Sequence, residues 1–174
     1  MPIIIDTNCI ASLFTKSDAN HKEFEPVLEW ILRGKGMMIM GGSKYREEIA
    51  KLKKFLTIIR YIKEAGKIHE GNCDAIDKYQ IEVEELSTDS DFDDPHLVAM
   101  VFVTKCKIIC SVDDRSIKHV TDSKYYPTNF KKPVYYKSSR NVDLLCDNYV
   151  DDELKPLIKI SKSKACTIEK FLKS

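Results

Sequence analysis

Short, unbroken apolar runs alternate along this chain with stretches in which apolar residues recur every three or four positions. The first pattern reads as buried strand, the second as amphipathic helix. MPIII at 1–5 predicts the first strand, and IIIDTN at 3–8 shows it ending on a carboxylate without a turn residue. From Cys9 to Arg33 the period turns helical, with Phe24, Val27, Leu28 and Ile31 spaced around Trp30. GKG at 34–36 stops that helix, and MMIM at 37–40 predicts a second strand. After GGS a long helix is expected over 44–66, its stripe running Ile49, Leu52, Phe55, Leu56, Ile59, Ile62 and its C-cap at Gly66. KIH at 67–69 predicts a short third strand, and 73–86 another helix. The acidic loop STDSDFDD leads into PHLVAMVFV, where Pro95 suits a first helical turn, Asp94 the N-cap, and the helix ends near Lys105. KIICSV at 107–112 and PVYY at 133–136 predict the last two strands. From about 141 the chain is polar and lysine-rich, with weak helical pieces.

This alternation predicts an α/β fold, a three-layer α/β/α sandwich around a central, mainly parallel five-stranded sheet. The main domain is expected over 1–140, with 141–174 a C-terminal extension packed on it or appended to it. There is no internal repeat, and 174 residues suffice for one domain with its own core. In parallel sheets function collects beyond the carboxyl ends of the strands, near a switch in strand order.

Composition removes several classes. No stretch approaches the roughly 20 apolar residues needed to span a bilayer, so no membrane partner is expected. The N-terminal apolar run lacks a positive flank and ends at Asp6, unlike a signal peptide. The six cysteines contain no CxxC and the four histidines no HExxH, so free thiols in a cytoplasmic protein are expected rather than a zinc site or disulfide framework. The net charge of +1 announces no polyanionic partner.

The carboxylates change the picture. Asp6 and Asp113 each follow an apolar strand directly, Asp94 opens a helix, and Glu47 and Glu48 lie in the first turns of the helix after strand two. All these positions belong to one edge of a parallel sheet. Carboxylates gathered there repel one another unless a cation intervenes. Mg²⁺ and Mn²⁺ prefer such oxygen donors, and phosphodiester hydrolysis is the chemistry that suits them. Singly, each acid is also explained as a turn residue, a cap or a first-turn acid favouring the helix dipole.

In order, these motifs resemble the PIN domain, a family of metal-dependent nucleases, over residues 1–136. IIIDTN is similar to its hydrophobic strand ending in DTN, EIAKL selects Glu48 over Glu47, DPHLVA selects Asp94, and SVD selects Asp113 with Ser111 as its hydroxyl. The resemblance implies that Asp6, Glu48, Asp94 and Asp113 are catalytic and hold one or two Mg²⁺ or Mn²⁺ ions. Thr7, Asn8 and Ser111 would support them, with Asp114 an extra outer ligand or a helix cap. Asp91 and Asp93 crowd the same loop, so the third acid could be a neighbour of Asp94. The implied activity is endonucleolytic cleavage of single-stranded RNA, DNA remaining open, as in toxins of toxin–antitoxin pairs. An antitoxin or regulatory protein and a homodimer are the implied partners. The alternative is a PIN-like scaffold that binds RNA or protein without turnover. A dehalogenase-like phosphatase would need DxDxT, where this chain has Asn8.

Between Arg115 and Arg140 there are seven Lys or Arg residues against one acid, Asp122, interleaved with aromatics. Arg115, Lys118, Lys124, Tyr125, Lys131 and Lys132 are therefore candidate nucleic-acid contacts. A second basic run comprises Lys155, Lys159, Lys162, Lys164, Lys170 and Lys173. From Glu82 to Asp94 there are seven acids and no base, which predicts binding stimulated by divalent ions.

Overall fold

The computed structural model describes residues 2–146 and 160–172; Lys155, Lys159 and Lys173 of the second basic run lie outside them. The strands are β1 (Pro2–Ile5), β2 (Met37–Met40), β3 (Ile68–Glu70), β4 (Ile108–Cys110) and β5 (Val134–Tyr136). They form one sheet in the order β3-β2-β1-β4-β5, every neighbouring pair parallel. The helices are α1 (Ile10–Phe14), α2 (His21–Arg33), α3 (Ser43–Lys51), α4 (Leu56–Glu64), α5 (Cys73–Leu86), α6 (Pro95–Thr104), α7 (Asp114–Val120) and α8 (Lys162–Phe171). The chain steps from β1 out to β3 through α1–α4 and returns past β1 to β4 and β5 through α5–α7, a reversal that, with crossovers of the usual right hand, puts the two helix sets on opposite faces. The result is the expected α/β/α sandwich.

Ile3, Ile4, Ile5, Ile108, Ile109 and Cys110 are fully buried, as two-sided burial of central parallel strands requires. Helix α6 is apolar nearly all round because it packs against β1, α5 and α7 at once. Helix α8 rests on α4, with Lys164 Nζ donating to Glu64 O at 3.0 Å and Arg33 paired to Glu169 at 2.9 Å. No described helix is long and apolar enough to cross a membrane.

Two expected helices are divided. The stretch 9–33 breaks over 15–20 because polar side chains capture the backbone there. Ser12 Oγ and Asn20 N both donate to Asp18 Oδ1 at 2.9 Å, and His21 Nδ1 lies 2.9 Å from Ser12 O. The stretch 44–66 breaks at Leu52 (φ −85°, ψ 55°) and passes through a 3₁₀ turn, Lys53–Phe55. The break rephases the apolar stripe, so Ile58 becomes core and Leu56, expected inside, is 40% exposed. Gly66 ends α4 in the left-handed conformation, φ 74°.

Candidate metal centre at the β1–β4 crevice

Strand β1 is where the strand order reverses: β2 and β3 lie to one side, β4 and β5 to the other. The crevice beyond the carboxyl ends of β1 and β4 is therefore the switch point of this sheet. Asp6 leaves β1 there, tied by its N–H to Cys110 O at 2.9 Å. Its carboxylate caps the 3₁₀ turn Thr7–Cys9 and is 6% exposed. Ser111 Oγ donates to Asp6 Oδ2 at 2.7 Å and Asn8 Nδ2 to the same oxygen at 2.8 Å. Ser111 Oγ in turn accepts from Asp113 N at 3.1 Å. Burial raises the Asp6 pKa; the bonds from Ser111 and Asn8 and nearby His96 oppose it, and the charge of Glu48 adds to it.

Glu48 arrives from α3, whose start is set by neighbours rather than by its own cap. Gly42 takes φ 76°, and a Cβ there would meet Ile76 of α5 at 2.6 Å. Asp77 of α5 accepts from Ser43 N and Oγ at 2.7 and 2.6 Å. One turn on, buried Tyr45 donates its hydroxyl to Ile5 O at 2.6 Å, which anchors α3 to the end of β1. Glu48, three residues later, shares that face and accepts from Thr7 Oγ1 at 3.2 Å. Glu47 is exposed.

Asp94 occupies the N-cap position of α6 without a side-chain capping bond. Its pKa is raised to about 7 by burial and by the charges of Asp6, Glu48, Asp113 and Asp93. Asp93 and Asp91 are exposed. Asp113 caps α7, and Arg115 grips both its oxygens, Nε to Oδ1 at 3.1 Å and Nη2 to Oδ2 at 2.9 Å. Those bonds hold its pKa below the usual carboxylate range. Asp114 is not the cap; it is exposed and paired with Lys137.

Two further groups, His96 and Tyr135, border the cluster and were not among the expected site residues. His96, in the first turn of α6, is 2% exposed; Nε2 lies 3.7 Å from Glu48 Oε2 and Nδ1 has no hydrogen-bond partner. Burial pushes its pKa down to about 4 against the pull of Asp6, so the imidazole is neutral at pH 7. The hydroxyl of Tyr135 lies 3.3 Å from Ser116 Oγ. Its pKa is raised by burial and then, after a smaller opposing effect of Ser116, by Asp94, Asp6 and Asp113. A lone histidine two residues past Asp94 was the visible signal for the first; nothing local marks the second.

The nucleic-acid candidates divide. Arg115 and Lys118 line a pocket with Ser90, Asp91 and Asp93 beside the crevice. Tyr125 offers no ring to a base: it is 1% exposed and stacked on Phe92 at 5.4 Å. Lys131 and Lys132 immediately precede β5, and Val134 N bonds Lys107 O ahead of β4, so they stand at the opposite, amino edge of the sheet. Lys124, exposed and paired to Asp122 at 3.7 Å, sits on the connection leading there.

The donor set at the crevice is hard oxygen, which matches Mg²⁺ or Mn²⁺. Burial first, and then the charges of Asp6, Glu48, Asp113 and Asp93, raise Asp94 to about 7; a cation in the crevice would relieve the part that comes from the neighbouring acids. Among the described residues, no group of three or more His, Cys, Asp or Glu side chains is already arranged to hold a metal ion. The four carboxylates share a field, while Arg115 occupies Asp113. Comparison with protein-family models, curated proteins and solved structures returned no match.

Proposed function

We propose that the chain is a PIN-type, Mg²⁺- or Mn²⁺-dependent endonuclease acting on single-stranded RNA. The observation that carries this reading is the convergence of Asp6, Glu48, Asp94 and Asp113 at the switch-point crevice, where the charges of the other three add to burial in raising the Asp94 pKa. These four would hold the ion, which would supply Lewis-acid activation of water and neutralise charge on the scissile phosphate. Ser111 and Asn8 fix the Asp6 carboxylate by hydrogen bonds, so it needs no reorganisation to act. Thr7 orients Glu48. The Asp94 carboxyl makes no capping bond, which leaves its oxygens available to the ion. Arg115 competes for Asp113 and sits where a phosphate would offer it another anion.

The test is cleavage of labelled single-stranded RNA and DNA by purified protein with Mn²⁺, Mg²⁺ or excess EDTA, alongside Asp6→Asn. Metal-dependent cleavage of RNA that Asp6→Asn loses by at least about 10²-fold is the expected result, the scale of losing a preorganised electrostatic group. Full cleavage in EDTA, or by Asp6→Asn, overturns it. The grip of Arg115 on Asp113 favours a second reading, a scaffold that binds RNA without cutting. RNA binding with no cleavage under any metal condition would select that one.

A further inference from the structure

The cations flanking the acid crevice are already spoken for. Lys44 pairs with Glu48 at 3.7 Å, Arg115 with Asp113 at 2.9 Å, Lys118 with Asp89 at 3.6 Å, and Lys137 with Asp114. A polyanion approaching this edge meets acids and neutralised bases, so its affinity must arise elsewhere. The amino edge has the opposite character. Lys105 and Lys107 lead into β4, Lys131 and Lys132 lead into β5, and the one acid between residues 121 and 133, Asp122, is taken by Lys124. Lys131 and Lys132 are exposed, and neither has an ion-pair or hydrogen-bond partner among the described residues.

Those two lysines adjoin a formed concavity. The connection between α7 and β5 shapes an open concavity of about 310 Å³, with Ser123, Tyr126, Thr128, Asn129, Phe130 and Lys132 in its wall. The wall is rigid: Tyr126 and Phe130 stack at 4.8 Å and 2°, and Tyr126 donates its hydroxyl to Val120 O at 2.7 Å. Lys107 covers Phe130 at 4.3 Å. Hydroxyl, carboxamide and ammonium groups around one concavity offer donors to a phosphate and partners to the polar edge of a base. An acidic protein would use the charge but not the cavity.

We propose that this amino-edge cavity is a second nucleic-acid site, at which Lys131 and Lys132 bind phosphates of the same RNA strand that enters the acid crevice. The proposal deepens the nuclease reading and rests on it for the identity of the strand. Lys107 and Asp113 flank β4, whose three residues alone span about 10 Å at about 3.3 Å per residue, so the two sites lie farther apart than that. A strand engaging both must therefore wrap the β5 edge and be several nucleotides longer than one that fills the crevice alone.

The experiment separates this from the nuclease reading by measuring binding with cleavage switched off. Fluorescence anisotropy in EDTA compares wild type with Lys131→Gln/Lys132→Gln, using a labelled oligouridine of roughly 20 nucleotides, longer than typical single-strand site sizes, at several salt concentrations. The variant should bind it about tenfold more weakly, and its slope of log K against log salt should fall by about 1.4, two phosphate contacts at about 0.7 each. Unchanged affinity and slope overturn the site, as does no measurable binding by wild type. Displacement of the RNA by poly-glutamate as readily as by unlabelled oligouridine reassigns the surface to acidic protein and also overturns it. If the slope falls but wild type cleaves no RNA, the site stands and the nuclease reading fails.

Discussion

Asp94→Asn should stabilise the protein at neutral pH, and the gain should disappear in acid. The carboxyl is raised from an ordinary 3.8 to about 7 in the fold. Between those values the folded state holds a proton that the unfolded state has released, so stability falls as pH rises from about 4 to about 7 and is flat above. At about 1.4 kcal/mol per unit the full difference is about 4 kcal/mol. Asp94 is only partly buried, and screening by solvent brings the expectation nearer 2 kcal/mol. Asparagine keeps the shape, removes the charge and forfeits no capping bond, because the aspartate side chain makes none. For a domain of this size about 2 kcal/mol is about 4–8 °C in Tm. The assay is thermal unfolding of both proteins in EDTA from pH 4 to pH 8. The curves should coincide near pH 4 and separate progressively to pH 7. A gap independent of pH, or a variant less stable than wild type at pH 7.5, would show that Asp94 does not carry the mutual repulsion of the cluster.

Two other substitutions probe the supports of the site. Arg115→Ala frees both oxygens of Asp113 and should tighten Mn²⁺ binding several-fold, read by titration calorimetry at low salt, where competing ion pairs are least screened. Weaker or unchanged binding would mean that Asp113 is not a ligand. Tyr45→Phe leaves the buried Ile5 carbonyl without its 2.6 Å donor and should cost about 1–3 kcal/mol in urea unfolding. A loss under about 0.5 kcal/mol would refute the anchoring role given to this bond.

What could be read along the chain was whatever a short window contains. The helix at 73–86 coincides with α5 and MMIM with β2, because each is a clean local period closed by turn residues. The fourth strand is shorter than expected, Ile108–Cys110, because Ser111 and Asp113 have turned to the crevice network. The break at Leu52 was hidden because an unbroken stripe and a rephased one look alike until the sheet selects which residues it covers. Tyr125 looked like a stacking residue in a basic loop; its place in the core depends on Phe92, which reaches it from the acid loop between α5 and α6. His96 lies 48 positions from Glu48 in sequence and 3.7 Å away in space, a juxtaposition that only the crossover from β3 to β4 creates.

The net charge of +1 concealed the feature with most consequence for binding. Lysines stand where several strands begin (Lys35, Lys105 and Lys107, Lys131 and Lys132; Lys67, before β3, is buried with its ammonium donating to Gly34 O and Gly36 O), and acids stand where several end (Asp6, Glu70, Asp113). In an antiparallel sheet that same local habit would scatter both signs over both edges. A parallel sheet points every strand the same way, so entry and exit chemistry are sorted onto opposite edges. The topology thereby turns a nearly neutral composition into two poles. A cation at the acidic pole would remove its repulsion for phosphate, while the lysine pole attracts phosphate with or without metal. On the nuclease reading proposed above, metal should therefore change whether a bound strand is cut far more than whether it binds.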